Sequence, residues 1–161
     1  MPGNSISEGG FHDLSTPEIF QEFNLQEALD GLKQSDKIIE SGLPVSIYYI
    51  RGENVTSTGS ASRWIIGLSE RNNRSFFVYD ESGPSFIPWR AGLPTKEIIL
   101  NKILMPEKVF SQHNSEIVKF EDLSTGKIPE LELSNDVYVI STQSGGKITN
   151  LKIDAYTGKI L

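Results

Sequence analysis

The sequence predicts an α+β protein made of two repeats, each with a helix packed on a small antiparallel sheet in the order α-β-β-β. In both halves of the chain, hydrophobic residues at helical spacing precede runs that are typical of strands. The strand-like runs form hairpins, and the two hairpins align at an offset of 74 positions, which places Trp64 on Tyr138 and Asp80 on Asp154. Because a fixed offset is typical of an internal repeat, the two halves are interpreted as copies of one unit.

Composition limits the class of protein. The chain has 161 residues, of which 37% are hydrophobic, enough for a packed core and too many for a disordered chain. The net charge is −6 and the basic residues are scattered, which argues against nucleic acid as a partner. No apolar run is long enough to predict a transmembrane segment. The absence of cysteine excludes disulfides, thiol nucleophiles and Cys-ligated zinc.

The first unit is predicted to span residues 15–83, after a flexible, polar and glycine-rich tail at 1–14. A short helix is expected after Thr16, which can cap it and is followed by a proline. A longer helix is expected from Asn24, because Glu27 three residues later completes a capping box. Three strands follow, in the runs PVSIYYI, SRWIIGLSE and SFFVYDE, which are rich in β-branched and aromatic residues. The last two strands form a hairpin around the polar turn RNNR.

Residues 84–94 are predicted to form a linker rich in proline and glycine, and residues 95–161 the second unit. That unit begins with a helix in TKEIILNKILMPEKVF, which Pro106 should end or kink. A strand is expected in EIVKFED. The run GKIPELELS is interpreted as an extended edge segment, because Pro129 cannot donate a hydrogen bond to a neighbouring strand. The runs DVYVIST and KITNLKID form the final hairpin.

No group of residues in the sequence predicts catalysis. The two histidines, His12 and His113, fall in the tail and in a polar loop, and without cysteine they give zinc no ligand set. No Gly-x-Ser-x-Gly motif accompanies His113, which argues against a Ser–His–Asp triad. Acidic pairs such as Asp80-Glu81 sit at strand ends, where carboxylates commonly meet solvent. We therefore predict a protein that is not an enzyme and has no catalytic, metal-binding or cofactor-binding residues.

A protein partner is expected to bind at an exposed strand edge or at the proline-rich segment PSFIPWR, which is the candidate contact segment. Phe86, Trp89 and Arg90 belong to residue types that dominate binding hot spots, and the prolines beside them limit the entropy lost on ordering. The alternative is that Phe86 and Trp89 pack between the two units and close a core.

The final stretch, LKIDAYTGKIL, is interpreted as a structural turn. Asp154 ends a strand and is expected to accept hydrogen bonds from the backbone that follows it. Thr157 and Gly158 complete the turn, and Gly158 supplies a positive φ. Residues 159–161 should return as a short strand that seals the core.

This ending resembles the closing motif of the PepSY family, in which a helix packs on a small antiparallel sheet and a strand is followed by Asp-Ala-x-Thr-Gly. Asp154, Ala155, Thr157 and Gly158 match that motif, and the run from Val137 to Leu161 looks like the family's last hairpin. The ending of the first half is similar but one residue shorter. The resemblance extends loosely to the helix and strand that precede the hairpin.

PepSY domains are mostly exported or attached to a membrane, often occur in tandem, and are found in propeptides of secreted metallopeptidases. The resemblance therefore implies a non-enzymatic binding module that inhibits or regulates a peptidase or another envelope protein. It also implies an extracytoplasmic location, secreted or in the cell envelope, which assumes a signal or anchor outside this sequence.

A second hypothesis is a carrier of a small apolar ligand held in a pocket between helix and sheet. The aromatic residues that would line such a pocket are Tyr48, Tyr49, Trp64, Phe76 and Phe77. Because alternate residues of a strand face opposite ways, about half of them can contribute to one pocket.

Overall fold

The computed structural model describes residues 21–35, 45–70, 73–89, 92–117, 129–144 and 146–161. Within these ranges the helices are α1 (Leu25–Lys33), α2 (Pro106–Gln112) and α3 (Asn114–Ile117). The strands are β1 (Ser46–Glu53), β2 (Arg63–Glu70), β3 (Asn73–Asp80), β4 (Gly83–Pro88), β5 (Glu130–Ser134), β6 (Val137–Ser144) and β7 (Lys147–Asp154).

The described strands form a single antiparallel sheet in the order β4-β3-β2-β1-β5-β6-β7. The predicted fold class, two repeats of a helix on a small sheet, is therefore wrong. The two halves join where β1 pairs with β5, with Ile50 opposite Leu133 and Gly52 opposite Leu131. This pairing satisfies the inner edges of both halves, which separate sheets would leave open.

Strand β5 lies in the middle of the sheet, so the expectation of an edge segment is also wrong. The sequence-based reason was Pro129, but that residue precedes β5 and its missing N–H removes no bond of the strand pairing. The carbonyl of Pro129 instead accepts a hydrogen bond of 2.9 Å from the N–H of Val55. A two-residue turn connects β5 to β6, with positive φ values of 49° at Asn135 and 67° at Asp136, as a type I′ turn requires.

The two hairpins predicted by the sequence are present. In β2–β3 Trp64 is opposite Tyr79 and Ile66 is opposite Phe77. In β6–β7 the residues 74 positions later pair in the same way, with Tyr138 opposite Ile153 and Ile140 opposite Leu151. The hairpins thus share one register, although they belong to one sheet.

One face of the sheet carries the core, and α1 together with the segment 98–117 covers it. The polar tips of two buried aromatic residues bind this covering layer. Trp64 Nε1 donates to the carbonyl of Phe23 at 2.8 Å, and the hydroxyl of Tyr138 donates to the carbonyl of Leu104 at 2.7 Å. The fully buried large side chains are Leu25, Ile50, Trp64, Ile66, Leu68, Phe77, Phe110, Ile117, Leu131, Leu133, Tyr138 and Ile140.

The helices differ from the sequence-based prediction in the second half of the chain. Helix α1 begins as expected, because Asn24 and Glu27 form the reciprocal bonds of a capping box. The run before Pro106 forms no helix, and Pro106 begins α2 in place of ending a helix. Backbone groups of that run bind strands and turns: the N–H of Ile98 donates to Ile47 at 2.7 Å, and that of Leu104 to Ala155 at 2.8 Å. Proline suits the first position of a helix, where no intrahelical N–H bond is required.

Several predicted features lie wholly or partly outside the described residues. The tail at 1–14 and most of the short helix after Thr16 belong to this group. Of the strand expected in EIVKFED, Glu116 and Ile117 form the end of α3 and the remainder is outside. Part of the predicted linker, residues 84–88, belongs to β4, which pairs with β3. No helix among the described residues has the length and apolar character needed to cross a membrane.

Candidate functional site

The described part of the chain contains no group of three or more His, Asp or Glu side chains that could hold a metal ion. His113 follows α2, and its Nε2 hydrogen-bonds the carbonyl of Gly158. Because a carbonyl can only accept, Nε2 is the donor, and the contact ties α2 to the closing turn. His12 lies outside the described residues.

The closing turn is built around the carboxylate of Asp154. Its Oδ1 accepts the N–H of Tyr156 at 2.8 Å and the N–H of Thr157 at 2.9 Å. The bonds from Thr157 and then Tyr156 lower the pKa of Asp154, because they favour its charged form. Gly158 has a φ of 76°, and its N–H donates to the carbonyl of Asp154 at 2.9 Å. The hydroxyl of Thr157 accepts the N–H of Lys159 at 3.2 Å.

After this turn the chain pairs briefly with β7. The N–H of Asp154 donates to the carbonyl of Lys159 at 2.8 Å, and the N–H of Leu161 donates to the carbonyl of Lys152 at 2.9 Å. Ile160 and Leu161 are 45% and 66% exposed. Residues 159–161 therefore cover one end of the β7 edge, and their large side chains do not seal the core.

The structure separates the residues of the candidate contact segment PSFIPWR. Phe86 belongs to β4 and packs against Phe77 on the core face, with ring centroids 5.2 Å apart. Trp89 packs on Phe76, with ring centroids 4.4 Å apart, and Phe76 lies on the face of the sheet opposite the core. The Nε1 of Trp89 is buried and has no hydrogen-bond partner among the described residues. Arg90 lies outside the described residues, and contact of this segment with a partner stays a prediction.

The aromatic residues of the carrier hypothesis also divide between the two faces. Trp64 and Phe77 are fully buried in the core. Tyr49 and Phe76 lie on the other face, where their ring centroids are 6.0 Å apart. These side chains therefore do not line one pocket.

A polar network that the sequence did not indicate crosses the seam between β1 and β5 on this second face. The hydroxyl of Tyr49 donates to Glu132 at 2.5 Å, and Arg51 donates to Glu130 at 2.6 Å. Burial and then the bond to Glu132 raise the pKa of Tyr49, because both disfavour the phenolate. The partners are about 80 residues apart in the chain, so finding them requires the β1–β5 pairing.

Arg63 continues the network across the first half of the sheet. Its guanidinium contacts Glu53 on β1 at 3.4 Å and Asp80 on β3 at 3.1 Å. These residues border a polar depression at the end of the strands. Arg63 thus joins the two carboxylates, and Glu53 also lies 3.8 Å from Arg51 Nε, as in a structural ion-pair network.

The outer edge of β4 is poor in hydrogen-bond donors. The N–H of Trp89 donates to the carbonyl of Arg74, which shows that odd-numbered residues of β4 direct their backbone groups toward β3. The even-numbered residues point the other way, and they include Pro84 and Pro88. Since proline has no N–H, this edge lacks two of the donors that a further strand would use.

The outer edge of β7 keeps its donors. The bond from Asp154 to Lys159 shows that even-numbered residues of β7 direct their backbone groups away from β6. Two of them, Ile148 and Asn150, are exposed, and no described residue pairs with their outward N–H and C=O groups. We call the stretch Lys147–Leu151 the open edge. Nothing in the sequence marks it, because periodicity identifies β7 only as half of a hairpin.

Comparison with known proteins gives one fold similarity. A crystal structure of a candidate lipoprotein from Clostridium difficile 630 matches this chain with a TM-score of 0.54 and 16% identity, covering 89% of this chain and 93% of that one. At this identity the likeness concerns the fold alone. No family model and no curated protein matches the chain.

Proposed function

We propose that the chain is a non-enzymatic, extracytoplasmic binding protein that engages a protein partner at an edge of its sheet. The observation that carries this proposal is the unequal chemistry of the two edges. Prolines remove outward donors from β4, whereas the open edge of β7 presents outward N–H and C=O groups at Ile148 and Asn150. A strand added to such an edge gains affinity from main-chain hydrogen bonds.

Two similarities support the proposed location and the proposed kind of partner. The fold similarity to a candidate lipoprotein supports a location in the cell envelope. The match of the Asp154–Gly158 turn to the PepSY ending supports a peptidase as the regulated partner. The aromatic residues of the carrier hypothesis lie on opposite faces, so the binding protein is the function that we carry forward.

The first experiment tests location and partner together. We expect antibodies to detect the protein in the envelope or secreted fraction of its source organism, and chemical crosslinking there to join it to an envelope peptidase. The purified chain, added at a one-to-one ratio, should change the activity of that peptidase. Detection in the cytoplasmic fraction alone would overturn the proposed location.

The second experiment tests the class of function. Native mass spectrometry of the purified chain should show no retained small apolar ligand, and the captured partner should bind the chain in isothermal titration. A retained ligand without any protein partner would favour the carrier and overturn the proposal.

A further inference from the structure

We infer that the open edge accepts an acidic, extended segment of the partner, which adds antiparallel to β7 as an eighth strand. This inference rests on the proposed binding function and names the surface and the chemistry of the occupant. It is carried by outward backbone groups that no described residue binds, by local charge, and by the position of residues 159–161.

The backbone of the open edge offers a short pairing site. The outward N–H and C=O groups of Ile148 and Asn150 can form two hydrogen-bonded pairs with an extended segment. Residues 159–161 already run antiparallel beside the neighbouring end of β7, with Leu161 bonded to Lys152. A segment added at the open edge would lie in line with them and prolong the same pairing.

Charge selects an acidic occupant. Lys147 lies in the open edge and Lys152 directly follows it; both are exposed, and neither forms an ion pair with a described acidic residue. The chain as a whole carries a net charge of −6, so this edge is basic within an acidic protein. Acidic side chains opposite Lys147 or diagonal to Lys152 would form cross-strand pairs.

The same lysines disfavour a second copy of the chain as the occupant. Pairing of two β7 edges would bring the lysines of both copies close together, and lysine on an edge strand is a common device against self-association. The side chain of Ile148, which is 62% exposed, would instead gain apolar contact with a β-branched residue of the partner.

The probe is a blocked, fluorescein-labelled peptide with the sequence Val-Glu-Thr-Val-Glu, which places glutamates opposite Asn150 and Lys147. Fluorescence anisotropy should show binding that weakens with added salt. A matched peptide with lysine in place of glutamate should bind at least about tenfold more weakly, because like charges then face each other. Equal binding of the two peptides, or no binding of the acidic one, would overturn the inference.

The variant Asn150→Pro tests the main-chain bonds. It removes an outward N–H and leaves pairing with β6 possible, because the groups of residue 150 face away from β6. Binding of the acidic peptide should weaken about tenfold or more, while the control Asn150→Ala, which keeps the N–H, should bind within about twofold of the parent. Unchanged binding by Asn150→Pro, with circular dichroism showing an intact fold, would contradict the proposed site.

Two outcomes separate this inference from the function on which it rests. If Asn150→Pro still captures the envelope partner, the partner binds elsewhere and only the edge assignment fails. If the acidic peptide binds at the open edge but no envelope partner exists, the proposed function fails and the edge assignment stands. Dimerisation of the parent that Asn150→Pro abolishes, measured by sedimentation velocity, would make a second copy the occupant and overturn the acidic segment.

Discussion

The turn that follows β3 and the turn that follows β7 begin alike and lead to different edges. In both, an aspartate carboxylate accepts a backbone N–H: Asp80 from Ser82 at 2.9 Å, and Asp154 from Tyr156 at 2.8 Å. Each turn ends with a glycine of positive φ, 93° at Gly83 and 76° at Gly158. From Gly83 the chain forms a six-residue strand with outward prolines, whereas after Gly158 it pairs with β7 at one end only.

A turn motif therefore determines the local path of the chain but not which backbone groups the sheet exposes after the turn. The bonds around each aspartate involve residues within a few positions, so similar sequences give similar turns. The exposure of the edge depends on how many residues pair after the turn and whether they have N–H groups. The two halves can therefore share a hairpin register and differ in their capacity to bind.

The largest expected effect on stability comes from truncating a core side chain at equivalent positions of the two hairpins. Phe77→Ala should lower the free energy of unfolding by about 4 kcal/mol, because its ring is fully buried. Leu151 occupies the same register position in β7 and is partly buried, so Leu151→Ala should cost less than half as much. Urea unfolding measures the free energy of unfolding of both variants, provided that their m-values equal that of the parent. Equal losses would show that the outer hairpin is as tightly packed as the inner one.

The second-largest expected effect on stability comes from replacing the glycine that ends each turn. Gly158→Ala should cost about 2 kcal/mol, since positive φ is strained for alanine and the new Cβ would overlap the side chain of Gln112 and lie 2.9 Å from Leu104 Cδ1. Gly83→Ala should cost about 1 kcal/mol, because a Cβ added there would meet nothing within 4 Å and only the φ strain remains. Thermal unfolding followed by circular dichroism compares the variants. A larger loss at Gly83 would reverse the expected order.

The third effect concerns the hydrogen bond from the second hairpin to the covering layer. Tyr138→Phe should cost about 1 kcal/mol, because it leaves the carbonyl of Leu104 without this donor. The control is Tyr79→Phe, whose hydroxyl bonds no described residue and whose removal should change stability by less than about 0.5 kcal/mol. Chemical denaturation of both variants gives the difference, and indistinguishable values would mean that the Tyr138 bond adds nothing to stability.

The smallest effect is the pH dependence of the closing turn. Because the folded state holds the pKa of Asp154 below its usual value, its contribution is present above the unfolded pKa of about 3.9 and is lost as pH falls through the folded pKa. Asp154→Ala should lower the melting temperature at pH 7, and its difference from the parent should shrink as pH falls below about 4. Asp154→Asn, which keeps an oxygen acceptor, should have a melting temperature between those of the parent and Asp154→Ala. A melting-temperature difference between the parent and Asp154→Ala that grows as the pH falls would contradict the stabilising role of the Asp154 carboxylate.

Features that depend on nearby residues could be predicted from the sequence. The capping box of Asn24 and Glu27 involves positions three apart, and the register of each hairpin follows from alternating apolar residues on both sides of a turn. Pro106 misled the prediction because proline either breaks a helix or begins one, and only the surroundings distinguish the two.

Features that depend on distant pairing could not be predicted. The position of β5 beside β1, the bond of Tyr49 to Glu132 and the open edge of β7 all follow from the order of strands in the sheet. Sequence periodicity indicates which face of a strand is buried but carries no information about which strand is its neighbour. The sequence suggested binding at an exposed strand edge but could not identify which edge is open, since an edge is defined by the absence of a neighbour.

The seam between β1 and β5 has a consequence for the time course of folding. Its contacts join residues about 80 positions apart, such as Tyr49 and Glu132, whereas each hairpin closes over a short loop. Hairpins form within about 1–10 μs, but closure of so long a loop loses much more chain entropy and is slower. We expect the two hairpins to form first and the seam to close late. Until it closes, β1 exposes an unpaired edge, so a newly made chain is most prone to aggregate in that interval.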